Sequence, residues 1–254
     1  MKPWLLCYHE IVSDLRIAAR TPGFLVPTVL TPLGFYCLFV YGVHGAGGVA
    51  GAARLMVNYA IFGAMAPALF GLGTALAADR TMAWIDLRRA SPLPATVFIA
   101  GKLGYAALLT LASTLPIMFA ASCAGVVLAP LNWALLVAVN LLASLLFSSI
   151  GLAIGLLLEQ TAAAVMANVL FLPLAFFGGL WFPLGALHPL LQDIGAFTPT
   201  YRLGNLGLMG AGLIQTGDWM FNALALWAWL LLAGVALWRI FCGWLPGHPR
   251  AEAA

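Results

Sequence analysis

Six apolar runs fix most of what this chain can become: roughly Phe24–Gly42, Leu55–Ala78, Thr96–Val127, Trp133–Leu158, Ala162–Phe182 and Trp219–Phe241. A helix of about 20 apolar residues covers the ~30 Å hydrocarbon core of a bilayer. Water offers six such segments no solution, because 63% of the 254 residues are hydrophobic against about 45–50% in soluble domains. The expected fold is therefore an all-α integral membrane protein with six transmembrane helices. No polar segment is long enough to fold separately, so residues 1–254 read as one domain. The first apolar run follows a charged amphipathic segment and is long enough to span, so it reads as a helix rather than a cleaved leader.

Prolines 27, 32, 67, 116 and 173 lie inside these runs. A membrane helix tolerates proline where neighbours satisfy the freed carbonyls, so these helices are expected to pack in a bundle. Lys102, near the start of the third run, can extend its ammonium out to water. Gly151 and Gly155 form a G-x-x-x-G that permits close helix approach; a lipid-facing position fits them as well.

Between the second and third runs lies Asp79–Pro94, with Asp79, Arg80, Asp86, Arg88 and Arg89 charged where only 7% of the chain is. Charge at the bilayer centre costs about 2.5–3.5 kcal/mol per residue on insertion scales, so this segment sits in water. Met82, Trp84, Ile85 and Leu87 recur at helical spacing until Ser91-Pro92 stops the helix. A short amphipathic helix here suits a soluble partner; a solvated connector is the alternative.

Residues 1–22 form a second amphipathic segment. Trp4, Tyr8, Ile11, Val12, Leu15 and Ala19 line one face, with His9, Ser13, Arg16 and Arg20 on another and Glu10 and Asp14 beside them. Such a helix lies in the membrane interface, Trp4 and Tyr8 at headgroup level, or packs on another part of the protein. Residues 183–217 are broken by Pro183, Pro189, Pro199 and several glycines, and read as short external helices that dip in without crossing. Trp181, Phe182, Pro183, Tyr201 and Arg202 are candidates for sealing an outer mouth; an ordinary aromatic belt is the alternative.

Six spans place both termini on one side. Lys2, Arg16, Arg20, Arg80, Arg88, Arg89, Lys102, Arg239 and Arg250 share that side, against Arg54 and Arg202 on the other. The positive-inside rule makes the first side cytoplasmic.

Catalytic signatures are missing from the sequence. It has no G-x-S-x-G, no paired carboxylates within a span, no H-E-x-x-H and no C-x-x-C among Cys7, Cys37, Cys123 and Cys242. Gly101-Lys102 lacks the rest of a phosphate-binding loop, and Gly45, Gly47 and Ala50 match a dinucleotide motif without the strand it requires. A chain without its own nucleotide motif is expected to be driven from outside.

The loop D-R-x-x-x-W-x-x-L-R-R-A-S-P-L-P (Asp79–Pro94), the segment G-G-L-W-F-P-L-x-x-L-x-P-L-L-Q (Gly178–Gln192) and P-T-Y-R-L-G (Pro199–Gly204) resemble the permeases of type-2 ATP-binding-cassette (ABC) transporters. The resemblance covers nearly the whole chain. It implies a single transmembrane permease domain of an exporter, paired with a second permease copy in a homodimer or heterodimer. An ABC ATPase subunit would bind ATP and Mg, leaving no cofactor in this chain. It implies docking of that subunit by Asp79, Arg80, Trp84, Leu87, Arg88, Arg89 and Pro92, beside the face of Trp4, Tyr8, Ile11, Val12 and Leu15. It also implies re-entrant helices between spans five and six that close the path, and a place in a bacterial-type cytoplasmic (inner) membrane. Cargo would be hydrophobic or amphipathic: a drug, lipid or glycolipid. Membrane lipid is a further partner and nucleic acid is not. A lipid-modifying membrane enzyme, or a structural or sensory subunit, are the competing readings.

Overall fold

The computed structural model describes residues 2–42, 47–81, 95–181, 184–186, 188–214 and 218–244. Helix α1 (Pro3–Ala19) precedes span one, which is α2 (Pro22–Cys37) continued by a wider π turn over Leu38–Gly42. Span two comprises α3 (Gly48–Ala66), a π segment (Pro67–Leu72) and α4 (Gly73–Thr81). Spans three to five are α5 (Ala95–Cys123), α6 (Pro130–Leu157) and α7 (Gln160–Phe177). A one-turn 3₁₀ helix (Leu184–Ala186) leads to α8 (Pro189–Phe197) and α9 (Pro199–Gly210), and span six is α10 (Trp219–Trp244). Six helices are long and apolar enough to cross a membrane, and no strand occurs among the described residues.

Span two is the axis of the bundle. Its apolar window is 78% buried, against 17% for spans one, five and six. The reason is its small residues: Ala52, Ala53, Ala60, Gly63, Ala64 and Ala68 bring neighbouring backbones close, and lipid-embedded helices associate through such packing. Gly151 and Gly155 of span four use the same device. A Cβ on Gly151 would overlap the Ala68 carbonyl oxygen, and one on Gly155 would stand 2.7 Å from the carbonyl oxygen of Gly73. The G-x-x-x-G stripe thus faces span two within this chain.

Pro67 explains the π segment. Without an N–H it cannot bond the Gly63 carbonyl one turn back, and the helix widens around the break. The Ser113 hydroxyl of span three lies 3.1 Å from that carbonyl oxygen and 2.9 Å from the Thr110 carbonyl oxygen of its own helix, so its single proton is shared between the two acceptors. The expectation that neighbours satisfy proline-freed carbonyls has a concrete instance here.

Four limits differ from the sequence reading. Span two begins at Gly48, seven residues before the hydropathy rise at Leu55. Asp79 and Arg80 belong to the last turn of span two, so that helix runs further than the hydropathy drop suggests. Span three ends at Cys123, where the chain turns through Gly125 at φ 86°. Span five ends at Phe177, because Gly178 and Gly179 (φ 73°) close the helix; Trp181 lies beyond it.

Candidate functional site

Two regions at opposite ends of the bundle hold the charged side chains that bond one helix to another among the described residues. The first joins α1, the end of span two and the start of span three. Helix α1 lies across span three where Gly101 and Gly104 remove side chains: a Cβ on Gly101 would come within 2.8 Å of Glu10 Cβ, and one on Gly104 within 2.6 Å of Ile11 Cδ1. Between those glycines Lys102 reaches back and donates to both oxygens of Asp14, at 2.8 and 2.9 Å. Both residues are buried. Lys102 therefore does not extend to water as its position suggested; a carboxylate on the neighbouring helix neutralises it in place.

The inward stripe of α1 consequently differs from the face read from hydropathy. Asp14 and Ala18 are its buried residues, Ile11, Val12 and Leu15 are half-buried, and Trp4 and Tyr8 point outward. An ion pair and two glycines outweigh the apolar stripe in orienting the helix. The G-K-x-G of Gly101, Lys102 and Gly104 was the available signal, and it was legible only with the partner Asp14 in view.

Arg80 is held inside the chain. Its Nη1 donates to the carbonyl oxygens of Gly155 (3.1 Å) and Leu158 (3.2 Å) at the end of span four. A guanidinium there satisfies orphan carbonyls and complements the negative end of the helix dipole. Trp84, Leu87, Arg88, Arg89 and Pro92 lie outside the described residues, as do Phe182 and Pro183.

The second region lies at the far end. Thr198 caps α9, its hydroxyl accepting from Tyr201 N at 3.3 Å. Thr200 donates to the Leu174 carbonyl at 2.7 Å, fixing α9 to the end of span five. At about 1.5 Å per residue, neither α8 nor α9 is long enough to cross ~30 Å of hydrocarbon. Arg202 bonds Asn222 of span six at 3.1 Å and sits 4.6 Å from the Phe221 ring centre. Trp181, half-buried, packs on Phe62 of span two with centroids 5.8 Å apart, and Asn58 donates to the Gly179 carbonyl at 3.2 Å. Between the beginning of span two, the turn after span five and α9 a cavity of about 500 Å³ remains. No group of three or more His, Cys, Asp or Glu side chains suited to a metal occurs among the described residues.

A six-span helical bundle of this kind defines a multi-pass membrane protein. Residues 11–210 match the family model of the ABC-2 type transporter, and the chain belongs to that family. It is also 27% identical over 199 residues, covering 77% of this chain and 81% of the relative, to a protein of Bacillus subtilis (strain 168) named "Putative transport permease YvfS". The chain is thus a membrane permease component of an ABC transporter, a class that works with an ABC ATPase.

Proposed function

We propose that the chain is the membrane subunit of an ATP-driven exporter, forms its path with a second permease copy, and takes its energy from a separate ATPase that binds ATP and Mg. The observation that carries this is the convergence at one end of the bundle. Asp14–Lys102 ties α1 to span three, and Arg80 ties the end of span two to span four. Those elements flank residues 82–94, the segment the family resemblance assigns to ATPase contact. A push on that segment would reach three spans and α1 as one unit, and coupling requires such an element with different contacts in two states.

In this reading the Arg80 end is cytoplasmic, as the basic residues place it. Helix α1 lies at the membrane interface with Trp4 and Tyr8 outward, and α8 and α9 close the outer end of the path beside Trp181, Tyr201 and Arg202. The cargo is hydrophobic or amphipathic, in keeping with spans that carry so little charge.

Co-purification of the ATPase with the permease, together with ATP-dependent extrusion of an amphipathic dye from proteoliposomes, tests the proposal. Trp84→Ala and the double change Arg88→Ala/Arg89→Ala should release the ATPase while the permease still inserts. Truncating a central contact typically costs about 2–4 kcal/mol, roughly 30- to 800-fold in affinity. Full ATPase retention and full coupling in both variants would sink the docking assignment.

A further inference from the structure

The cavity at the outer end has a chemical character of its own. Arg54 enters it from the second turn of span two, and Tyr201 and Asn205 enter from α9. Phe39 of span one, Trp181 and Leu208 supply apolar wall. Among its described lining residues Arg54 alone carries charge.

What distinguishes these polar groups is that nothing among the described residues bonds them. The other basic residue at this end, Arg202, is engaged by Asn222 and by the Phe221 ring. Arg54 has no ion pair or hydrogen bond among the described residues, and neither do the Tyr201 hydroxyl and the Asn205 amide; Asn58, by contrast, is committed to the Gly179 carbonyl. A guanidinium, a phenol and an amide without partners among the described residues therefore line a space walled by aromatic and aliphatic carbon. A mostly apolar pocket of a few hundred Å³ with a small set of converging polar groups is the usual form of a small-molecule site.

We propose that this cavity binds an amphipathic anion, with a phosphate or carboxylate head on Arg54 and an apolar body along Phe39, Trp181 and Leu208. The guanidinium fork matches either oxyanion in two-pronged geometry, while Tyr201 and Asn205 offer further donors to its remaining oxygens. A cationic head is repelled by Arg54, and a neutral one forms no ion pair with it. Two sources would supply this chemistry: an anionic membrane lipid held in place, or the exported molecule itself. Only the second rests on the exporter reading.

Binding to the purified full chain in a neutral maltoside micelle tests the site without requiring transport. The probes are monododecyl phosphate and, as its charge-reversed counterpart, dodecyltrimethylammonium, with affinity read by native mass spectrometry. The phosphate should bind at least about tenfold more tightly. Arg54→Gln should abolish that preference, Arg54→Lys should keep part of it, and Leu208→Trp, which narrows the cavity along its apolar wall, should weaken phosphate binding with the charge intact. Arg54 is exposed, so its replacement leaves the packed interior of span two in place. Equal binding of both probes to the parent, or an undiminished preference in Arg54→Gln, overturns the proposal.

The two sources then separate in the complex with the ATPase. Cargo would raise ATP hydrolysis on addition of the phosphate probe, and Arg54→Gln would remove that rise. A resident lipid would instead co-purify with the parent chain and be lost from Arg54→Gln, with hydrolysis unchanged by the probe. Either result supports the anion site, and the binding measurement in micelles, which needs no ATPase, keeps its failure distinct from failure of the exporter reading.

Discussion

Lys102 Nζ lies 2.8 and 2.9 Å from the two carboxylate oxygens of Asp14, and this buried pair bonds α1 to span three. Removing one partner of a buried pair leaves a charge without compensation, a loss of about 3–5 kcal/mol, whereas replacing both by apolar groups of similar volume is often neutral or better. Asp14→Ala and Lys102→Ala should each lower the unfolding temperature in detergent sharply, and Asp14→Leu/Lys102→Met should restore much of it. A double variant as unstable as the two losses added together would show that the residues are not coupled.

Span four and span two approach through glycine. Gly151→Ala drives its methyl into the Ala68 carbonyl oxygen, backbone against backbone, with no flexible side chain to yield. Overpacking of this kind costs about 1–3 kcal/mol. Gly204→Ala, with open space around its Cβ position, is the control. Fluorescence-detected size exclusion should show less folded Gly151→Ala and parental amounts of Gly204→Ala.

The Ser113 hydroxyl matters because Pro67 leaves the Gly63 carbonyl without its usual donor. Ser113→Ala should cost about 1 kcal/mol, the scale of interhelical hydrogen bonds in membranes. In a Pro67→Ala background, where position 67 regains an N–H, the same change should cost measurably less. Unfolding by denaturant in mixed micelles gives the double-mutant cycle, and identical losses in both backgrounds would remove Ser113 from the repair of span two.

Orientation is open to a direct check. In a chain whose native cysteines are replaced, Gly47→Cys and Gln192→Cys should react with an impermeant maleimide in intact cells, and Ser91→Cys only after permeabilisation. Reaction at position 91 in intact cells would invert the topology and place the proposed ATPase contact on the wrong side.

Hydropathy is a local quantity, so the sequence by itself determined how many helices cross and where most begin. Span six starts at Trp219 in both readings, and span four runs Pro130–Leu157 where hydropathy set Trp133–Leu158. Helix ends set by glycine geometry, as at Gly178 and Gly179, lay beyond it, because the apolar run continues through Leu180 and Trp181 after the backbone has already turned.

Only the tertiary structure decided which way each helix faces. A spanning helix is apolar all round, since lipid is as apolar as the bundle interior, and periodicity therefore carries little direction. Facing was set instead by sparse contacts between distant residues: Asp14 with Lys102 across 88 positions, Ser113 with Gly63 across 50, and Arg80 with Gly155 across 75. The unpaired state of Arg54 belongs to the same category. In the sequence Arg54 and Arg202 are alike as basic residues of one side, and only the fold separates them: Arg202 bonds Asn222, while Arg54 lines the cavity without a bond among the described residues.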